Sequence, residues 1–130
     1  PAPVRHLETI MNVEIMREYK FDSAHHLPHV EPGHKCGRVH GHTYVLTVVV
    51  AGPVDPMTGW VMDFAELDQI VNPLVKAWDH HDLNEIMVNP TAENLALAVV
   101  SHLSARLCLP MRVTEVVLSE GGRNQVRVRP

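Results

Sequence analysis

Three histidines in two neighbouring segments of the chain have the spacing to bind one metal ion. His25 lies near the end of a segment of alternating apolar and polar residues, and His40 and His42 flank Gly41 shortly afterwards. On a strand, side chains two residues apart point to the same face, so His40 and His42 would project together. Three imidazole nitrogens suit zinc and leave one coordination position open for water or substrate. The pattern predicts a catalytic zinc site; the alternative is that these are ordinary surface or core imidazoles.

Cys36 lies four residues before His40, between the cations Lys35 and Arg38. Nearby positive charges favour the thiolate, which is the nucleophilic form of cysteine. We therefore expect Cys36 to act as a base or nucleophile. The alternative is that it is a fourth zinc ligand, which would close the site and make it structural. Cys108, in an apolar setting, is expected to be a packing residue.

Two further groups carry acid or base side chains. Asp79 and His80 follow a predicted helix, where a carboxylate can orient an imidazole for proton transfer; adjacency alone does not guarantee that hydrogen bond. Glu120 shares the parity of inward apolar residues on a predicted strand, and an inward carboxylate is costly unless it meets a partner such as a ligand with N–H donors. It would otherwise be exposed at a hairpin. Glu93, in the first turn of the second predicted helix, would interact favourably with the helix dipole. His102, on an apolar helix face, is expected to be a packing residue.

Strands and helices that would position these groups follow from periodicity. Alternation and turn signals predict strands over 13–27, 39–50, 60–62, 112–120 and 124–129, the last two joined by a Gly-Gly hairpin. Asp63 predicts the start of one helix, which Pro73 should kink or divide, and Thr91 the start of a second. Apart from the short 60–62 strand, the order is strand, strand, helix, helix, strand, strand. It predicts an α+β fold with a four-stranded antiparallel sheet and both helices on one face. The other face would be buried by oligomerisation.

Composition bounds the remaining possibilities. The 130 residues are close to the commonest domain size, so we expect residues 11–130 to be a single domain and 1–10 an N-terminal extension. A net charge of -4 without a Lys/Arg run argues against nucleic acid as a partner. No stretch approaches the roughly 18 apolar residues of a membrane span, and no signal-peptide pattern is present. Two cysteines are too few for a disulfide framework, so a cytoplasmic protein is expected.

From about Tyr19 to Glu120 the chain resembles the 6-pyruvoyltetrahydropterin and 6-carboxytetrahydropterin synthase family, which has the tunnelling fold. The matching pieces are Phe-x-x-Ala-His-x-Leu-Pro, Cys-x-x-x-His-Gly-His, Gly-x-Val-x-Asp-Phe, Trp-Asp-His-His-x-Leu-Asn, Asn-Pro-Thr-x-Glu and a late strand glutamate. The run 33–38 is especially similar to bacterial carboxytetrahydropterin synthases of the queuosine and deazapurine pathway.

The resemblance implies a role for each candidate residue. The zinc ligands would be His25, His40 and His42, and Cys36 would be the thiolate that abstracts a proton. Asp79 with His80 would relay the second proton. The pterin would be bound by Glu120, Thr91 and Glu93. Family members assemble as trimers paired into hexamers with sites between subunits. Asp79 and His80 would therefore serve a neighbouring chain's Cys36 in a homo-oligomer.

The implied reaction uses Zn²⁺ as cofactor and a small-molecule pterin triphosphate as substrate, with no nucleic-acid or membrane partner. It converts 7,8-dihydroneopterin triphosphate to 6-carboxy-5,6,7,8-tetrahydropterin and releases acetaldehyde and triphosphate. One alternative is a pyruvoyl synthase that stops after triphosphate elimination and internal redox tautomerisation. Another is a non-enzymatic zinc-binding protein in which Cys36 is the fourth ligand.

Overall fold

A computed structural model describes residues 11–130, and its elements follow the predicted order. They are β1 (Asn12–His25), β2 (His40–Pro53), α1 (Phe64–Trp78), α2 (Ala92–Arg106), β3 (Arg112–Glu120) and β4 (Asn124–Val128), with short 3₁₀ helices at Lys35–Gly37 and Leu83–Glu85. The strands form one antiparallel sheet in the order β1-β2-β3-β4. The predicted α+β class is confirmed. The expected extension over 1–10 lies outside the described residues, and the single domain over 11–130 stays a prediction.

Strand register brings the candidate histidines to one place. His25 is paired with His40, and Ser23, two residues earlier, is paired with His42. Residues directly opposite each other in an antiparallel pair share a face of the sheet. The three histidines therefore lie on the same face, and Tyr44 continues it towards Glu120, its partner on β3.

A largely aliphatic core lies between this face of the sheet and the two helices. Its largest fully buried side chains include Phe21, Tyr44, Leu46, Leu67, Leu95, Leu103 and Leu118. His102 also belongs to this packing, because its Nε2 lies 2.7 Å from the Ile70 carbonyl oxygen on the other helix. The prediction of a packing role for His102 is confirmed. On the opposite face of the sheet Met16 is exposed, and burial of that face by oligomerisation stays a prediction.

The first strand is shorter than predicted. β1 ends at His25 rather than at 27, because the backbone N–H and carbonyl of His26 are bound by the Asn84 side chain. The next N–H, that of Leu27, donates to the carbonyl of Cys36. These bonds take the chain out of the sheet at the point where the candidate site begins.

Three local predictions differ from the structure. Residues 60–62 form a bend instead of a strand, with Val61 and Met62 buried against the core. Pro73 lies inside a continuous helix and does not divide it; Pro73 and Gln69 are both exposed, so water can reach the carbonyl that proline leaves without a donor. Cys108 is exposed, because α2 has already ended at Arg106. Within residues 11–130 neither helix is long and apolar enough to cross a membrane.

Candidate metal centre and active site

The rings of His25, His40 and His42 form a compact cluster at the end of the β1–β2 pair. Their centroids lie 4.6 Å (His25 to His40), 5.1 Å (His25 to His42) and 4.8 Å (His40 to His42) apart. One nitrogen from each ring can be chosen so that all three lie within 4.8 Å of one another. This spacing lets one cation contact three imidazoles.

Hydrogen bonds to carbonyl oxygens fix the tautomer of two of these rings. The Nδ1 of His25 lies 2.7 Å from the Pro90 carbonyl oxygen, and the Nδ1 of His40 lies 2.7 Å from the Arg38 carbonyl oxygen. A carbonyl only accepts, so in the neutral rings Nδ1 carries the hydrogen and Nε2 has the free lone pair. This is the usual second contact of a metal-binding histidine.

The free nitrogens of His25 and His42 support a cation at this position. Both Nε2 atoms are buried and have no hydrogen-bond partner among the residues described, and His25 as a whole is 1% exposed. Buried polar atoms are rarely left unpaired. Neutral imidazole nitrogens with lone pairs are donors that zinc prefers, so the chemistry of this set fits the metal that the sequence predicted.

Electrostatics keep His42 in the neutral form. Burial lowers the pKa of His42, and this effect exceeds the opposing influence of the Glu120 carboxylate, whose Oε1 lies 3.6 Å from His42 Nε2. A neutral ring is the form that binds a metal.

Cys36 occupies the 3₁₀ helix Lys35–Gly37 in the loop between β1 and β2. The ring of His34 caps this helix by accepting a hydrogen bond from the Cys36 N–H, at 3.0 Å, and the Cys36 thiol is partly exposed. Its sulfur does not belong to the set of potential ligand atoms that lie within 4.8 Å of one another around the three histidines. The geometry therefore gives no support to Cys36 as a fourth ligand.

Asp79 and His80 form the hydrogen bond that their adjacency did not guarantee. His80 Nδ1 lies 2.9 Å from Asp79 Oδ1, which also accepts a hydrogen bond from the Asp22 N–H at 2.9 Å. These two contacts, the backbone one first, lower the pKa of Asp79. The His80 N–H in turn donates to the Asp22 carbonyl, so the main chain of Asp22 holds the pair from both sides.

Backbone conformation and exposure distinguish His80 from the metal cluster. Its φ is 56°, a left-handed value that non-glycine residues rarely adopt. Its side chain is 78% exposed, and Cys36 is not among the residues clustered with it. The Asp79–His80 pair therefore faces outward.

The candidate pterin-binding residues line one cavity. Glu120, Thr91 and Glu93 surround a space of about 300 Å³ together with Leu27 and Gln125. The Glu120 side chain is only 20% exposed, so it points inward and is not exposed at the hairpin. Thr91 also caps α2, because its hydroxyl accepts a hydrogen bond from the Asn94 N–H.

Asn84 is a site residue that the sequence analysis missed. Its Oδ1 accepts from the His26 N–H at 2.8 Å, and its Nδ2 donates to the His26 carbonyl at 2.9 Å. This clamp holds the chain between His25 and Leu27, and Leu27 binds the Cys36 backbone. The available signal was the asparagine that ends the Trp-Asp-His-His-x-Leu-Asn motif, which had been quoted without a role.

Tyr44 is a second missed residue. It is 0% exposed, its ring stacks on Phe21, and its centroid lies 5.7 Å from that of His42. Burial, and secondly the charge of Glu120, raise the pKa of Tyr44, so its phenol is neutral. Its hydroxyl oxygen is buried and has no partner among residues 11–130. Strand parity with His40 and His42 places Tyr44 on their face of the sheet but gives no sign of the unpaired hydroxyl.

The fold and the three-histidine cluster together define a tunnelling-fold protein with a possible metal site at the end of its sheet. Residues 14–130 match the family described as 6-pyruvoyl tetrahydropterin synthase. The chain belongs to this family, as the motifs of its sequence predicted.

Individual relatives differ in their stated activities. A dihydroneopterin monophosphate aldolase of Pyrococcus furiosus is 38% identical over 85% of this chain and 92% of its own. A 6-carboxy-5,6,7,8-tetrahydropterin synthase of Synechocystis is 40% identical over 68% of this chain and 73% of its own. The 6-pyruvoyl tetrahydropterin synthase structure of Caenorhabditis elegans superposes with a TM-score of 0.83 at 26% identity, covering 94% of this chain and 98% of that one. Similarity within the family therefore extends to three pterin activities.

Proposed function

We propose that this protein is a zinc-dependent 6-carboxytetrahydropterin synthase of the queuosine branch, a lyase that acts on 7,8-dihydroneopterin triphosphate. The observation that carries the proposal is the three-histidine cluster, with two buried and unpaired Nε2 atoms near the cavity that Glu120 lines. The similarity to a synthase of the same name supports the choice of product.

The metal would be held by His25, His40 and His42. When bound, zinc supplies Lewis-acid chemistry that lowers the pKa of substrate hydroxyls and stabilises developing negative charge on oxygen. The absence of the Cys36 sulfur from the ligand set supports an open position for the substrate.

Two groups would move protons. Cys36 removes a carbon-bound proton that the conjugated pterin makes acidic, and His80, oriented by Asp79, transfers the second proton. Loss of triphosphate and then of a two-carbon fragment follows, with water consumed and acetaldehyde released. Glu120 accepts hydrogen bonds from the amino-pyrimidinone edge of the pterin, with Thr91 and Glu93 beside it in the same cavity.

The triphosphate would be bound near Cys36. Lys35 and Arg38 flank the thiol in sequence, and His29 and His34 lie in the same loop. A triphosphate needs local positive charge in a protein whose net charge is -4. These four side chains would supply that charge.

The proposal includes a cytoplasmic homo-oligomer, a trimer or a dimer of trimers, in which His80 of one chain meets Cys36 of the next. The outward position of His80 supports shared sites, and two free cysteines suit a reducing compartment. Inactive Cys36→Ala and His80→Ala chains, unfolded and refolded together in equal amounts, should regain about a quarter of wild-type activity, because random pairing leaves that share of sites with both groups. Mixtures that stay inactive would reject shared sites.

A second candidate is an aldolase, favoured by the relative of Pyrococcus furiosus that aligns over 92% of its length. The same groups would cleave the side chain of dihydroneopterin monophosphate by a retro-aldol step. Zinc-loaded protein should be incubated separately with dihydroneopterin triphosphate and with the monophosphate, and the products identified by mass spectrometry. Acetaldehyde with 6-carboxytetrahydropterin supports the proposal. A pyruvoyl product without acetaldehyde, or glycolaldehyde phosphate from the monophosphate alone, rejects it.

Substitution of the thiol tests the non-enzymatic alternative. Cys36→Ala should retain zinc and lose turnover, whereas loss of zinc would favour a structural metal. Cys108→Ala is the matched control, since that thiol is exposed and lies outside the cluster. It should retain both zinc and turnover.

A further inference from the structure

The buried hydroxyl of Tyr44 has no role in the function proposed so far. Among the described residues, the side-chain N and O atoms that are buried without a partner are His25 Nε2, His26 Nδ1, His42 Nε2 and the Tyr44 hydroxyl oxygen. Since buried polar groups are nearly always hydrogen-bonded, each of these atoms calls for an explanation. A cation at the three-histidine cluster accounts for the nitrogens of His25 and His42.

The Tyr44 ring lies beside the same site. Its ring centroid lies 5.7 Å from that of His42 and 6.3 Å from that of His25, in edge-on arrangements. Its strand partner is Glu120, whose charge acts on both the Tyr44 phenol and the His42 ring. Three of the four unpaired atoms thus belong to residues that touch one another around one end of the core.

No group of the described chain supplies the missing partner. The Glu120 carboxylate approaches His42 at 3.6 Å but forms no hydrogen bond with Tyr44, and the stacked ring of Phe21 offers none. A neutral phenol is a good hydrogen-bond donor and a poor ligand for a cation. An oxygen or nitrogen atom of a bound molecule would supply the missing partner.

We propose that Tyr44 is a substrate-positioning residue whose hydroxyl donates a hydrogen bond to a side-chain oxygen of the pterin bound beside the three histidines. This inference rests on the proposed function, because it assumes a hydroxylated ligand at that site. Tyr44 would then select pterins with a hydroxylated side chain, because a pterin without the side-chain oxygen would leave the Tyr44 phenol unpaired.

Tyr19 provides a matched control on the same face of the sheet. It is also a buried tyrosine, on the neighbouring strand β1, but its hydroxyl donates to Asp68 Oδ1 at 2.7 Å. Replacement of Tyr19 by phenylalanine removes a hydrogen bond that exists in the free protein. Replacement of Tyr44 by phenylalanine removes one that would form only with a ligand.

The experiment compares Tyr44→Phe and Tyr19→Phe by two measurements. In the metal-free protein, Tyr44→Phe should keep or raise the Tm, because it removes an unpaired buried hydroxyl, whereas Tyr19→Phe should lower it. In the zinc-loaded protein, the affinity for neopterin, which carries the trihydroxypropyl side chain, should fall about 10-fold for Tyr44→Phe and stay unchanged for Tyr19→Phe.

Wild-type binding separates the two proposals. If the wild type binds zinc and neopterin and Tyr44→Phe binds neopterin equally well, this inference is overturned and the proposed function stands. A Tm that falls as far for Tyr44→Phe as for Tyr19→Phe also overturns it, because the hydroxyl then has a partner in the free protein. A wild type that binds neither ligand overturns the proposed function and this inference with it.

Discussion

Replacement of Asn84 by alanine should destabilise the protein and disturb both halves of the site. The side chain makes two hydrogen bonds of 2.8 and 2.9 Å to the N–H and carbonyl of His26, in a partly buried position. A hydrogen bond contributes about 1 kcal/mol net, and leaving a buried partner unpaired costs about 1 to 3 kcal/mol. Water can reach part of this position, so we expect Asn84→Ala to lower the free energy of unfolding by about 2 to 4 kcal/mol.

The damage should extend to function because of what the clamp joins. His25, a candidate metal ligand, directly precedes His26, and Leu27 directly follows it and holds the Cys36 carbonyl. Loss of the clamp should therefore weaken zinc binding about 10-fold, the lower end of the range for groups that orient metal ligands. Asn84→Asp keeps the acceptor for the His26 N–H but sets an oxygen against the His26 carbonyl, so it should rescue little.

Urea unfolding of the metal-free protein at one fixed concentration measures the first effect, and competition with a zinc chelator measures the second. Asn72→Ala is the matched control, since Asn72 is exposed on α1 and its removal should change stability by no more than about 0.5 kcal/mol. If Asn84→Ala costs less than about 1 kcal/mol and leaves zinc affinity unaltered, the side chain does not hold this turn and the reasoning is refuted.

Three other changes test the loop groups and the metal cluster. His80→Gly and His80→Ala should both abolish turnover. The glycine variant should be more stable than the alanine variant in urea by about 1 kcal/mol, because φ is 56° at this position. Equal stability of the two variants would contradict backbone strain at His80. Asp79→Asn should lower kcat about 10² to 10⁴-fold and leave zinc bound; an unchanged kcat would exclude a role for its charge. The lowered pKa of His42 means that the folded state favours the neutral ring. Metal-free protein should therefore lose stability as the pH falls from about 6.5, the ordinary pKa of histidine, through the lower pKa of the folded ring, and loaded protein should release zinc in the same lower range. Thermal unfolding measures the stability, and a chelating dye measures the released zinc. If neither quantity changes between pH 7 and 5, the assignment of a neutral His42 ring to the folded protein is contradicted.

The metal cluster could be predicted from the sequence because it lies on two strands. Alternation fixes the face of each side chain, so His40 and His42 had to project together. His25 has the same parity as Tyr19 and Phe21, which point inward, so it lies on that face too. The helix start at Asp63 and the Gly-Gly hairpin were equally local signals. Each depends on residues that are neighbours in the chain.

The supporting groups could not be predicted because their partners are distant in sequence. Asn84 binds the backbone of His26, and Asp22 holds Asp79, and no periodic pattern connects such positions. Tyr44 shows a different limit: parity specifies the face of a residue but not whether its hydroxyl will find a partner there. The fate of Pro73 also depended on tertiary context, because an exposed helix face tolerates the carbonyl left unpaired.

The two kinds of functional group lie on parts of the fold that suit their chemistry. Metal ligands must keep a fixed geometry, and the candidate ligands here lie on paired strands, with His25 and His40 also held by the carbonyls of Pro90 and Arg38. His80 lies instead in a loop, exposed and with a left-handed backbone, and the backbone of this loop is bound to β1 at Asp22 and Ala24. In the proposed homo-oligomer, the three histidines would take their positions on paired strands without a partner, and the outward Asp79–His80 pair would present its side chains to a second copy of the chain.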